Sequence, residues 1–129
     1  MIVDASALVA VILKESDWES LEKALVDSPV NLISPVNRME VFIRLESIDG
    51  EWLVQKFDAL AAKIRLTTVS LDGDQLDLAQ DAFRRFGKGR HKAALNMGDC
   101  FAYALAKSKG EALLFKGNDF IHTDLESAL

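Results

Sequence analysis

Three observations predict an α/β domain, a parallel sheet flanked by helices. Short β-like runs alternate along the chain with segments of helical periodicity. The 129 residues amount to about one domain, and 50% hydrophobic with 27% charged residues is the balance of a soluble globular protein. At this length one core buries roughly two-thirds of the surface that the unfolded chain exposes, so no disulfide staple is needed, and Cys100 has no partner to form one. No repeat, linker or low-complexity tract divides residues 1–129, which are expected to form a single domain.

The elements follow in order. Met1 to Asp4 is the first strand, and Ser6 opens a helical stretch from Ala7 to about Lys14. A second helix begins at Ser16 or Asp17. Its apolar positions Trp18, Leu21, Leu25 and Val26 keep helical spacing until Ser28-Pro29 stops it. Val30 to Ile33 is the second strand. Ser34-Pro35 then signals a helix start, serine as N-cap and proline where its missing N–H is no loss, and this helix should reach about Ser47. Asp49-Gly50 breaks the chain before a helix over Glu51–Lys63, and Arg65 to Leu71 reads as the third strand. Asp74 to Phe86 is the clearest amphipathic helix, with Leu76, Ala79, Phe83 and Phe86 as its stripe and Gly87 as its stop. A basic, glycine-containing loop leads to a helix over Asn96–Ser108, and Ala112 to Phe115 is the fourth strand. The tail from Phe120 offers a short fifth strand, and Thr123-x-x-Glu126 has the capping-box pattern of a last turn.

The apolar N-terminus is not expected to be a signal peptide or a membrane span. No basic residue precedes the run, Asp4 interrupts it, and Lys14-Glu15 ends it well short of the ~20 residues that cross a bilayer. With a single cysteine, this points to a reducing cytoplasm. The formal charge of −5 by itself argues against a nucleic-acid partner. That average hides a local excess. Arg84, Arg85, Lys88, Arg90, His91 and Lys92 form a segment with no acid between Arg84 and Lys92, suited to nucleic-acid phosphates. A solvated helix end with cations favouring the dipole is its plainer alternative.

Four acids stand where the pattern asks for something else. Asp4 ends an apolar strand, and ligands of open parallel sheets bind beyond the carboxyl ends of strands; the alternative is a turn aspartate. Glu40 falls with Val36, Met39 and Ile43 at helical spacing, which puts a carboxylate on the expected core-facing stripe. Burying it unpaired is costly, so it needs a hydrogen-bond network, a metal or a cation such as Arg44 at i+4. Asp99 shares a face with Leu95, Ala102 and Ala106, and with Asn96 as N-cap it also stands where a capping-box acid belongs. Asp119 follows Lys116-Gly117-Asn118 after the fourth strand, where a turn residue is the alternative. Converging acids repel one another unless divalent cations neutralise them. All-oxygen donors suit Mg2+ or Mn2+, which can activate water and hold both oxygens of a phosphodiester displacement. His91 and His122 are isolated, and Cys100 reads as a small core residue, so nothing suggests zinc.

Several segments together resemble the PIN-domain ribonuclease toxins of the VapC type. They are the opening Met1-Ile2-Val3-Asp4-Ala5-Ser6-Ala7-Leu8, Asn37-x-x-Glu40-Val41, the Phe86-to-His91 loop, the Ala94-to-Ala104 run containing Asn96-Met97-Gly98-Asp99, and Leu114-to-Phe120. The likeness covers nearly the whole chain in order. It implies a three-layer α/β/α domain with a central parallel sheet of four or five strands, cleaving RNA with Mg2+ or Mn2+ held by acids. By position Asp4, Glu40 and Asp99 match the principal acids and Asp119 the variable fourth, with Asp124 as the alternative. Ser6 matches a hydroxyl that supports the first aspartate or a bound water, compatible with N-capping, and Asn96 is a cap beside the site. The resemblance further implies a homodimer and a VapB-type antitoxin whose C-terminal segment covers the site. Lys92 replaces an expected proline, and Pro35-Val36 replaces small residues; neither touches the acids.

Rival readings fit less well. A receiver domain needs an acidic pair after the first strand and a phosphorylated aspartate after the third, whereas Asp4 stands alone and Asp72 is the only third-strand candidate. A dehalogenase-type phosphatase needs an aspartate where Ser6 stands. A catalytically silent protein-binding module is the third alternative.

Overall fold

The computed structural model describes residues 1–129, and its elements run β1 (Ile2–Val3), α1 (Ala5–Leu13), α2 (Trp18–Asp27), β2 (Asn31–Ile33), α3 (Pro35–Lys63), β3 (Leu66–Thr68), α4 (Gly73–Phe86), α5 (Met97–Lys109) and β4 (Leu113–Leu114). The strands form one parallel sheet in the order β3-β2-β1-β4. Adjacent side chains of a strand point to opposite faces, and here they enter separate cores. Val3, Ile33 and Leu114 pack with α1, α2 and α3; Ile2 and Leu113 pack with α4 and α5. The result is the expected three-layer α/β/α arrangement.

Several starts and stops follow from local chemistry. Ser34 caps α3, its Oγ accepting from the Val36 N–H, with Pro35 at the first position. The Asp49-Gly50 break is a kink, since Asp49 leaves helical geometry (φ −155°, ψ 79°) while α3 continues to Lys63. Asp72 caps α4 through the Gln75 N–H, which makes it a helix cap beside the edge strand β3. The strands are shorter than the β-like runs. No helix is long and apolar enough to cross a membrane.

Four expectations are corrected. Ser6 is not the cap of α1: the helix starts two residues earlier, at Ala5, and Asp4 is its N-cap, accepting from the Ser6 N–H. On α4 the buried residues are Gln75, Ala79, Ala82 and Phe86, whereas Leu76 and Phe83 are exposed. The helix lies against α5, whose Ala102 and Ala106 share its core, and close approach selects small residues over large ones. The front of α3 is likewise turned. Asn37, Val41 and Leu45 face inward, Met39 and Ile43 are exposed, and Glu40 lies at the edge of the buried face. Finally, the tail makes no fifth strand or last helical turn. It contributes one parallel bridge, Ser127 to Leu113, and Thr123 instead makes a tight turn, donating to the Phe120 carbonyl and accepting from the Leu125 N–H.

Candidate active site

The strand order places the site. The chain winds from β1 outward through β2 to β3, then returns to lay β4 on the other side of β1. The connections therefore diverge between β1 and β4, and the crevice beyond the carboxyl ends of that pair is where such sheets bind ligands. Asp4 leaves β1, Lys116 to Asp119 leaves β4, and α5 begins nearby with Asn96 and Asp99.

Asp4 is buried, and its Oδ2 accepts from the Ser6 N–H at 3.0 Å. Burial pushes its carboxyl above the ordinary value; hydrogen bonds from Ser6 and Ala5 oppose the shift and the charge of Asp119 adds to it. The Ser6 Oγ accepts from the Lys116 N–H at 3.0 Å, tying the end of β4 to the start of α1. Asp99 and Asn96 form the capping box, with Asn96 N–H to Asp99 Oδ2 at 3.0 Å and Asp99 N–H to Asn96 Oδ1 at 2.8 Å. The capping-box acid and the inward acid are thus the same residue. Burial pushes the Asp99 carboxyl up to about 7, the Asn96 N–H opposing and the charges of Asp4, Asp119 and Glu40 reinforcing. Glu40 is half-buried and is raised by burial too, relieved by a hydrogen bond from Asn37 and aggravated by Asp4.

The structure thus brings Asp4, Glu40, Asp99 and Asp119 into one another's fields, from four separate segments. None of the four is in an ion pair. The ion pair with Arg44, the alternative role for Glu40, is not made. No three acidic, histidine or cysteine side chains meet as a ready-made cation cage; the acids gather at the range of mutual repulsion. Asp119 is exposed, and its position is fixed by neighbours: Phe120 is buried against Phe115, and the Lys116 ammonium bonds Ser16. Asp124, the alternative fourth acid, is held elsewhere. Burial would raise its carboxyl, but hydrogen bonds from Lys107 and the Tyr103 hydroxyl outweigh that and keep it below the ordinary range.

The basic segment divides. Arg85 is engaged away from the acids, by Asp81, Asp124 and the Tyr103 oxygen. Arg84 and Arg90 line a groove of about 370 Å3 with Phe83, Met97 and Phe101, and the Arg90 guanidinium lies over the Phe83 ring. Lys88 and Lys92 are exposed. His91 is a loop brace, its Nδ1 accepting from the Ala93 N–H. The Cys100 thiol is buried and pushed up to about 11 by burial and the Asp99 charge, so it is inert.

One residue at the site had no role in the sequence reading. Asn37 is fully buried, and its Nδ2 donates to Glu40 Oε1 at 2.8 Å and to the Gly98 carbonyl at 2.9 Å. The signal was its place three residues before Glu40 on an inward helix face.

Comparison with known proteins shows the family and the fold. A sequence model of the PIN domain matches residues 1–126. The chain is 47% identical to the ribonuclease VapC of Mycolicibacterium smegmatis, over 97% of each chain. It is 42% identical to the ribonuclease VapC30 of Mycobacterium tuberculosis, over 97% of this chain and 95% of that one. Among solved structures, VapC20 of Mycobacterium tuberculosis, a sarcin-ricin loop cleaving toxin, superposes with a TM-score of 0.76 over 96% of this chain and 95% of that one, at 16% identity; at that identity the likeness speaks for the fold. Sequence and architecture converge: the chain belongs to the PIN-domain family, in its VapC group.

Proposed function

We propose that this chain is a divalent-metal-dependent endoribonuclease, the toxin of a type II toxin–antitoxin pair, which hydrolyses RNA phosphodiesters at the acidic crevice. The observation that carries this reading is a pair of buried carboxylates, Asp4 and Asp99, kept without any cationic partner inside the fields of Glu40 and Asp119. A protein that used these acids only for its fold would pair them. The ribonuclease naming of the mycobacterial relatives supports the same activity.

The donor set fits Mg2+ or Mn2+, since it is all carboxylate oxygen, with no histidine or cysteine ligand set. Asp4 and Asp99 would hold the ion, with Glu40 and Asp119 completing its surroundings directly or through water. Held there, Mg2+ or Mn2+ supplies charge neutralisation, Lewis acidity toward the phosphodiester and a water-derived nucleophile at neutral pH. The chain's own residues do the rest. The Ser6 and Asn96 N–H groups fix one oxygen each of Asp4 and Asp99 and so set how the carboxylates present themselves. The N-terminus of α5 favours an anion in the crevice. Chelation with EDTA should abolish RNA cleavage and added Mn2+ should restore it, measured on a defined RNA by gel assay; cleavage indifferent to EDTA would remove the metal from the account.

RNA, a cognate VapB-type antitoxin and a second copy of the chain are the partners this reading implies. Exposed apolar residues on α3 (Met39, Phe42, Ile43, Trp52) and at α4–α5 (Leu76, Phe83, Met97) offer surface that protein partners would cover. Arg84, Lys88, Arg90 and Lys92 supply phosphate contacts, and Arg85 supports them through the helix end it braces. Neutralising Arg90 and Lys92 together should flatten the salt dependence of RNA binding, reducing the log–log slope by about 1.4 for two single-strand phosphates. An unchanged slope reassigns both residues to the solvated surface. The receiver reading is not favoured, because its only third-strand candidate, Asp72, is the cap of α4.

A further inference from the structure

Asn37 does something that fold stability alone does not require. Its side chain is fully buried, yet its Oδ1 has no hydrogen-bond partner. The amide cannot be turned to satisfy that oxygen, because the reversed orientation would aim it at two acceptors, Glu40 Oε1 and the Gly98 carbonyl. A buried polar atom left unsatisfied costs free energy, and natural sequences tolerate such conflicts mainly at functional sites. Here the satisfied end spends one N–H on Glu40 and the other on the first turn of α5, across 61 positions of sequence.

Gly98 completes the arrangement. A Cβ at this position would overlap the Glu40 carboxylate. Glycine is a poor helix former even in a first turn, but only glycine lets the carboxylate lie against α5, next to Asp99. Two independent features, an amide clamp and a missing side chain, thus converge on the placement of one acid.

We propose that Asn37 is a positioning residue which, with Gly98, clamps the Glu40 carboxylate against the first turn of α5 and thereby sets the affinity of the acidic crevice for its divalent cation. This rests on the metal-dependent reading above and adds to it the device that orients one ligand. Partners that orient a ligand from outside the coordination shell typically change metal affinity by about 10- to 100-fold when removed.

The test measures Mn2+ binding to the metal-free chain by the loss of the free-ion EPR signal, with thermal melting alongside. The variants are Asn37→Ala, Gly98→Ala, Glu40→Gln and the pairs combining each of the first two with the third. N37A and G98A should each weaken Mn2+ binding about tenfold. G98A should do so with an unchanged or raised melting temperature, because alanine favours the helix and the nearest atoms that must give way belong to the flexible end of Glu40. In the E40Q background neither substitution should weaken binding further, since both act through that one carboxylate. Should N37A fail to fold, G98A and G98A/E40Q complete the cycle. Equal weakening in both backgrounds, or wild-type binding by G98A, overturns the clamp. If E40Q itself binds Mn2+ like the wild type, or binds weakly while N37A and G98A bind normally, the clamp falls and the Asp4–Asp99 site stands; if the unsubstituted chain does not bind Mn2+, the metal-dependent reading falls and the clamp with it.

Discussion

Replacing Asp99 with asparagine should lower RNA cleavage by about a thousandfold or more while leaving the fold intact and making the metal-free protein more stable. The activity loss follows from removing a carboxylate that is buried and lies within the fields of the other three acids. The stability gain is a balance of opposed terms. Asparagine keeps an oxygen to accept from the Asn96 N–H, so the capping box survives. What is lost is a favourable charge in the first turn of α5, worth about 0.3–1 kcal/mol. What is relieved is the burial of an anion among the charges of Asp4, Asp119 and Glu40, a penalty large enough to push the carboxyl to about 7. Relief wins, by on the order of 2 kcal/mol, or roughly 5–10 °C in melting temperature at pH 8 in EDTA. Calorimetry and a cleavage assay on the same preparation check both halves. An inactive variant that is also destabilised by several degrees would mean that Asp99 serves the helix rather than the site.

Stability of the metal-free protein should fall as pH rises from about 4 to about 7. Across that window the unfolded chain has released the Asp99 proton, whose ordinary value is 3.8, while the folded chain still holds it up to about 7. The folded state therefore binds more protons, and stability decreases with pH until both states are ionised. Asp4 acts in the same direction. For each group a pH unit of the window is worth at most about 1.4 kcal/mol, and partial access of water reduces the Asp99 contribution to about 2 kcal/mol in all. Asp124 has the opposite sign: its depressed carboxyl contributes stability that is lost only as pH drops below 3.8. Saturating Mn2+ should remove the decline above pH 4, because the ion binds only the folded, ionised acids. Melting curves from pH 4.5 to 8, in EDTA and in Mn2+, make the comparison. A flat profile in EDTA would show that burial does not raise these carboxyls, and an equal Mn2+ effect on Asp99→Asn would show that Asp99 is not the ion's ligand.

What the sequence revealed depended on how local the physics was. The Asn96–Asp99 capping box and the Ser34-Pro35 start involve groups two or three positions apart, so they are legible in one dimension. The acids were legible because each violates the pattern around it. The faces of α3 and α4 were not, since a stripe drawn through the largest apolar residues picks Leu76, Phe83, Met39 and Ile43, all exposed. Close packing of α4 on α5 buries alanines instead, a consequence of tertiary contact that periodicity does not carry. Glu40 was therefore singled out for a reason the structure does not support. It lies at the edge of the buried face and is held by Asn37, whose second hydrogen bond reaches a residue 61 positions away. The tail misled because the spacing of Thr123 and Glu126 fits a cap, yet the Thr123 hydroxyl turns to the Phe120 carbonyl, and the chain continues to bridge β4 at Leu113.

The chemistry of the cut ends tests the central claim most directly. If water attacks the phosphodiester at the Asp4–Asp99 crevice, a defined RNA incubated with the protein and Mn2+ yields fragments ending in a 3′-hydroxyl and beginning with a 5′-phosphate, identified by mass spectrometry. Fragments ending in a 2′,3′-cyclic phosphate, formed equally well in EDTA, would mean that the RNA's own hydroxyl is the nucleophile and that the acids do not carry the reaction.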